Sequence, residues 1–215
     1  MNMKERIAAR VAKEFLEGDI INLGIGIPTF IPNYLPEGIQ VFLHSENGIL
    51  GVGHTPEGDK VDPNIVNAGK KSVTVNEGAS FFDSVNSFAM IRGGHIDVAV
   101  LGALEVNAKG QIANWAVPGK PVLGVGGAMD LIEGSQKVFV TTTHMTKNGK
   151  PKIVNENKYP LTSHRSIDMI VTDKAVFHVR DETLFLTEIA PESSLEEVRL
   201  LTDASFQVSE NIKTF

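Results

Sequence analysis

The sequence predicts an α/β chain built on an open, mostly parallel sheet covered by helices on both faces. Three observations carry that prediction. Helix-period and strand-length segments alternate along the chain. Several strand-length runs, "IDVAVLGAL" (96–104) above all, are almost wholly apolar, as strands covered on both faces must be. The 215 residues, 42% hydrophobic and 21% charged, suffice for the core of one domain spanning 1–215.

The elements follow in order. Ile7, Val11 and Phe15 recur at spacing four with Ala8 and Ala12 beside them, which predicts an amphipathic helix stopped by Gly18. "DIINLGIGIP" (19–28) reads as a short strand running into a glycine turn, and Thr29 is placed to cap a short helix. "IQVFLHSE" (39–46) is the second strand, and a loop over 51–65 follows with Pro56, Gly58 and Pro63. "KSVTVN" (71–76) has strand alternation. "SFFDSVNSFAMIRGG" (80–94) predicts a helix: Ser80 as cap, Asp83 three later, an apolar face of Phe81, Val85, Phe88 and Ala89, and Gly93 at the end. "KVFVTTT" (137–143), "SIDMIVT" (166–172), "AVFHV" (175–179) and "LFLTEI" (184–189) are further strands, with 143–160 the most loop-like stretch between them. The last helix is "SSLEEVRLLTD" (193–203), with Ser193 and Glu196 spaced as a capping box.

Composition removes whole classes of function. With no cysteine there is no disulfide framework, thiolate metal site or cysteine nucleophile. The six histidines, at 44, 54, 95, 144, 164 and 178, include no i, i+4 pair around a glutamate, so no metal site is expected. A net charge of −6 argues against a nucleic-acid partner. The charged opening "MNMKERIAARVAKEF" has no apolar signal core, and no apolar run approaches the roughly 18 residues of a membrane span, so a cytoplasmic chain is expected.

Ligands of open α/β sheets bind outside the carboxyl ends of strands. Three glycine-rich turns are expected there: Gly24-Ile25-Gly26, the turn containing Glu46, and Gly124 to Asp130. "GIGIPT" is neither a dinucleotide fingerprint nor a Walker loop, and no G-x-S-x-G elbow is present. Glu46 stands out. The apolar run Val41-Phe42-Leu43 leads into this carboxylate, and an acid at a buried strand end must be solvated, paired or working. His44, two residues earlier, points to the same side and reads as a packed, hydrogen-bonded histidine beside the acid. Residue chemistry alone leaves open an acid–base enzyme such as a sugar-phosphate isomerase, or a non-catalytic effector-binding domain in which Glu46 is structural.

"LHSENGILG" (43–51) resembles the active-site signature of the family I CoA-transferases at every signature position. "NAGK" (67–70), "GASFF" (78–82), "SFAMIRGGHID" (87–97), "ANWAVPGK" (113–120) and "GGAMDL" (126–131) follow in the order and spacing of that family's β subunits. The resemblance covers nearly the whole chain, which is similar to the β subunits of acetate and butyrate–acetoacetate CoA-transferases and to the second half of succinyl-CoA:3-oxoacid CoA-transferase.

What the resemblance implies is a ping-pong transfer through a glutamyl-CoA thioester on Glu46. CoA is a substrate and no cofactor is bound permanently. Gly127 would supply an oxyanion amide, with Gly126 and Ala128 shaping its loop. Gly24, Ile25 and Gly26 would contact CoA. Lys70 would pair with Glu46 or CoA, and Asn47 would orient Glu46 or the substrate. Relatives usually carry Gln where this chain has Glu105, which bears on acyl specificity. The family also implies a partner α subunit, in an α2β2 heterotetramer acting on acyl-CoA and short carboxylates.

Overall fold

The computed structural model describes residues 1–119, 121–122 and 124–215. Helix α1 (Met3–Ala12) opens the chain. Asn2 caps it in a reciprocal box: its side chain accepts from the Glu5 amide while the Glu5 carboxylate accepts from the Asn2 amide. The helix ends at Ala12, earlier than the expected stop at Gly18. The chain leaves through a turn in which Glu14 N–H donates to the Val11 carbonyl, and Gly18, at φ 84°, then directs its N–H to Gln40.

Strands β1 (Ile20–Leu23) and β2 (Phe42–Ser45) pair in parallel, joined by a 3-10 helix over Ile27–Tyr34. Gly26 stands at the cap position of that helix. Thr29, expected as its cap, lies inside it and donates its hydroxyl to the Gly26 carbonyl. β3 (Ile49–Val52) turns straight back against β2, and β4 (Val75–Phe81) pairs antiparallel with β3. The strand expected at 71–76 therefore starts later and runs through Ser80 and Phe81. Helix α2 (Ser84–Arg92) begins beyond it, capped by Asp83 through the Asn86 amide. Ser80 is no cap, and Phe81 and Val85 are exposed rather than part of a buried helix face.

Next come β5 (Val98–Gly102), β6 (Glu105–Asn107), β7 (Ile112–Ala113), α3 (Ala128–Gly134), β8 (Lys137–Thr141) and β9 (Ile153–Val154). The chain closes with β10 (Met169–Val171), β11 (Ala175–Arg180), β12 (Thr183–Ile189), α4 (Leu195–Leu201) and β13 (Gln207–Thr214). Ser194, not Ser193, caps α4 through the Glu197 amide.

One sheet holds ten strands in the order β13-β12-β11-β10-β8-β5-β1-β2-β3-β4. Its centre, β10-β8-β5-β1-β2, is parallel throughout, and antiparallel strands flank it on both sides. β5 explains the apolar run "VAVL". Val98 and Val100 pack toward α1, while Ala99 and Leu101 pack toward Ile91 of α2, Leu131 and Ile132 of α3 and Val198 of α4. Both faces are covered, as the sequence predicts. A small second sheet, β7-β6-β9, includes part of the stretch read as loop. Among the described residues, no helix is long and apolar enough to cross a membrane.

Because the central strands are parallel, β1, β2 and β5 end on the same edge of the sheet. That edge collects the turn after β1 and the turn after β2, and α3 starts against it.

Candidate active site

Glu46 is the first residue past β2, half-buried at the carboxyl edge of the sheet. β2 ends at Ser45 and residues 46–48 turn back toward β3, and the hydrogen bonds divide residues 44–47 into two pairs. His44 and Glu46 meet the neighbouring strand β1. Ser45 and Asn47 meet the loop at 66–70.

On the first side the partner is Asn22, only 1% exposed, which lies opposite His44 in the parallel register. Its side-chain amide nitrogen is 3.2 Å from Glu46 Oε2, 3.1 Å from His44 Nδ1 and 3.3 Å from the His44 carbonyl. His44 is itself buried, with Nε2 2.9 Å from the Ser87 hydroxyl of α2 and its ring stacked on Phe82 at 6.1 Å and 13°. Burial penalises its charged form and lowers its pKa from 6.5 to about 4, so the imidazole is neutral at physiological pH. A neutral ring that accepts from Asn22 at Nδ1 carries its proton on Nε2 and donates it to Ser87.

On the second side, the Ser45 hydroxyl accepts from the Ala68 amide at 2.9 Å, and the Asn47 amide donates to the Val66 carbonyl at 2.7 Å. Together they fasten the "NAGK" loop to the turn that carries Glu46. Lys70 closes that loop in a left-handed conformation, φ 60°, with its N–H on the Asn67 carbonyl. A non-glycine residue there is uncommon and is held by its surroundings.

Gly127 approaches from the other side. A methyl group built on its Cα would lie 3.6 Å from Glu46 Cγ and 3.3 Å from the Phe88 ring. Its φ of −85° is open to any residue, and a side chain here would stand in contact with Glu46 and press on the tip of the Phe88 ring. The preceding Gly126 is different: at φ 54° it takes the left-handed turn that delivers Gly127 to the start of α3. Gly48 meets both requirements at once, since φ is 121° and a side chain would overlap the Phe82 carbonyl.

The structure therefore brings Glu46 and Gly127 together and sets Gly126 and Ala128 beside them. Ile25, 73% exposed, reaches the 66–70 loop, where its Cγ1 would lie 3.5 Å from a methyl group on Gly69. Gly24 ties the same turn to β5 through the Val100 carbonyl at 2.8 Å, and Gly26 follows at φ 98°.

Other expectations are corrected. The Gly124–Asp130 turn does not follow a strand but leads into α3. Asn47 donates to the Val66 carbonyl, and the side chain that hydrogen-bonds to Glu46 is Asn22, which the sequence reading missed. Lys70 forms no ion pair with Glu46 among the described residues. Glu105 is 6% exposed in β6 and accepts from the Lys158 amide, so its carboxylate is committed to a structural bond. Lys120, the last residue of "ANWAVPGK", lies outside the described residues.

Comparison with known proteins places this geometry. The chain is 50% identical over 214 residues to the β subunit of acetate CoA-transferase from Escherichia coli K12, covering 100% of this chain and 98% of that one. It is 51% identical over 212 residues to the mitochondrial succinyl-CoA:3-ketoacid coenzyme A transferase 2A of Rattus norvegicus, covering 98% of this chain but 41% of that protein. Its fold matches the apoenzyme of an acyl-CoA transferase from Escherichia coli O157:H7 with a TM-score of 0.78 at 23% identity, over 100% of this chain and 43% of that one. The chain thus spans less than half the length of the rat protein and of that solved structure. The coenzyme A transferase family pattern matches residues 4–200. With the carboxylate at the sheet edge, the glycine beside it and this near-complete match, the chain belongs to the coenzyme A transferase family.

Proposed function

We propose that this chain is the nucleophile-bearing subunit of a CoA-transferase that moves CoA between a short-chain acyl-CoA or 3-oxoacyl-CoA and a free carboxylate. The observation that carries the reading is the half-buried Glu46 carboxylate, held at Oε2 by Asn22 and faced by Gly127. An isomerase would need an acid–base pair at this place. His44 is a poor second member of one, because it is neutral and both its ring nitrogens are engaged.

Glu46 attacks the acyl carbonyl of the donor. The carbonyl–sulfur bond breaks, CoA leaves as thiolate, and a mixed anhydride remains on Glu46. The thiolate then attacks the glutamyl carbonyl, the anhydride carbon–oxygen bond breaks, and the first acid departs as carboxylate. Glu46 now holds CoA as a thioester. A second carboxylate runs the same steps backwards. One thioester is exchanged for another, so no net oxidant, reductant or nucleotide is consumed, and CoA enters as substrate rather than as resident cofactor. Each addition passes through an oxyanion. The Gly127 N–H, which has no acceptor among the described residues, is the backbone donor assigned to it. Gly24, Ile25 and Gly26 line the approach for CoA, Lys70 ends the loop beside it, and Asn47 ties that loop to the turn that carries Glu46.

A carboxylate is a weak nucleophile in water, and water would hydrolyse both intermediates. A second chain must therefore cover the sheet edge. The relative named as a β subunit has a companion by name, and the rat relative is more than twice as long as the segment matched here. Ile25 on the turn after β1, Phe81 at the end of β4, and Val85 and Met129 in the first turns of α2 and α3 are exposed apolar side chains, as a surface to be covered would be. The partner is an α subunit, the assembly α2β2, and its place of work the cytoplasm.

The test is to purify the chain with its companion subunit, treat it with acetyl-CoA, and map any borohydride-reducible or hydroxylamine-sensitive adduct. The adduct is expected on Glu46, and Glu46→Ala is expected to abolish both adduct and transfer while the protein stays folded. Full transfer by a verified Glu46→Ala complex overturns the reading.

A further inference from the structure

We infer that His44 is a positioning residue that acts on Glu46 through Asn22, by fixing which end of the Asn22 amide faces the carboxylate. This rests on the functional reading above and adds a relay to it: Ser87 hydroxyl, His44 ring, Asn22 amide, Glu46 carboxylate.

The amide group of an asparagine has two faces of opposite character, one donating and one accepting. Only the NH2 face holds a carboxylate. A half-turn about the terminal bond would aim the Asn22 carbonyl at Glu46 Oε2, oxygen against oxygen, and push the acid out of place. Asn22 is 1% exposed and no titratable group of its own holds it in register. The His44 carbonyl, at 3.3 Å, and the His44 ring nitrogen, at 3.1 Å, share the amide hydrogen that Glu46 does not take. The ring contact accepts only while Nδ1 bears no proton. Ser87, fully buried on α2, completes that state, its hydroxyl accepting the Nε2 proton at 2.9 Å. Phe82 stacks on the ring and fixes its plane. The other tautomer would set an N–H of His44 against the N–H of Asn22.

The relay crosses three elements that are distant in sequence: β1, the end of β2 and α2. It therefore reports whether α2 is seated. The exposed apolar residue Val85 lies two positions before Ser87 on the same helix, on the surface proposed for the partner. Seating of the partner on α2 would tighten the relay, and so the nucleophile, only in the assembled enzyme.

The experiment uses the complex of this chain with its companion subunit and reads the rate of adduct formation on Glu46, kcat and KM for acetyl-CoA, and thermal melting. His44→Phe keeps the stack on Phe82 but has no acceptor. It is expected to lower kcat roughly tenfold to a hundredfold, as small misplacements of a reacting group do, with KM changed less than about threefold. His44→Gln supplies an oxygen toward Asn22 and an N–H toward Ser87, and is expected to restore activity to within about fivefold of wild type. Ser87→Ala, a mild change within a helix, leaves the buried Nε2 proton without its acceptor and is expected to lower kcat by roughly threefold to tenfold; it carries the test if His44→Phe fails to fold. In an Asn22→Ala background, His44→Phe is expected to cost nothing further, because its effect passes through Asn22. Full kcat in His44→Phe or in Ser87→Ala, or an undiminished loss in the Asn22→Ala background, overturns the relay while leaving the transferase reading intact. A wild-type complex that forms no adduct overturns both.

Discussion

Glu46 is prepared by contacts from three directions, and each is a different kind of constraint. Asn22 orients one oxygen, the Ser45 and Asn47 ties hold the backbone on either side, and Gly127 fills the space next to its Cγ. Gly127 gives the sharpest prediction at this scale. Its backbone angle suits any residue, so Gly127→Ala should fold with a melting temperature close to wild type. The added methyl group would nonetheless press on the Phe88 ring and stand beside Glu46. Turnover of the assembled enzyme should fall roughly tenfold, and roughly a hundredfold for Gly127→Val. A Gly127→Val complex that melts and turns over as wild type does would remove this loop from the chemistry. The carboxylate was legible in the sequence because an acid closing an apolar run is unusual, and because its neighbours resemble a known signature. Asn22 was not legible. It lies 24 residues from Glu46, and only the parallel register of β1 on β2 makes them neighbours.

At the level of elements, legibility followed burial. The runs that became β5, β8, β10 and β11 are apolar because both their faces meet the core, β12 keeps one buried face through Leu184 and Leu186, and all five were read as strands. β13 was missed because "QVSENIKT" is a largely exposed edge strand with polar side chains, and β9 because two residues carry no periodicity. The start of α2 was misplaced for another reason. "GASFF" has the residues of a buried helix face, but β3 offers it a ladder and the strand prevails through Phe81. The hairpin joining β11 to β12 shows a local cost of the same kind. Its two turn residues, Asp181 and Glu182, have φ of 47° and 54°, a geometry that favours asparagine and glycine. Glu182→Gly should therefore raise stability by about 1 kcal/mol, read as a shift in urea midpoint at unchanged slope. The Lys109–Glu182 pair lost with it spans 3.6 Å between exposed side chains and contributes little. A lower midpoint would show that the turn is not strained.

Taken as a whole, the molecule carries two buried neutral histidines at the carboxyl edge of its central strands. His44 anchors the Glu46 side. His144, with no exposed surface, joins Thr172 after β10 to Thr202 at the end of α4 at 3.0 and 2.9 Å. Burial lowers the pKa of each from 6.5 to about 4. The sign follows from proton counting. Between pH 6.5 and 4 the unfolded chain binds protons at these sites that the folded chain refuses, so stability is full above about 6.5 and drains as pH falls toward 4. Each site accounts for up to roughly 3 kcal/mol over that window. Urea midpoints should fall steadily from pH 7 to pH 4.5, and the fall should be shallower in His144→Gln even if that variant is weaker at neutral pH. An equal slope in wild type and variant would deny the histidine its part.

The division of residues 44 to 47 between two sets of partners also decides which kinds of sequence change the site can survive. His44 and Glu46 serve the acid while Ser45 and Asn47 serve the loop, so a single inserted or deleted codon within β2, between Phe42 and Ser45, would slip its pairing on β1 and carry Glu46 away from Asn22. Point substitutions in one pair leave the other pair's partners in place. A mutant library over this stretch should thus tolerate substitutions unevenly but reject every frame-preserving one-residue indel, and a two-residue indel should do less harm to the pairing than a one-residue indel despite being larger.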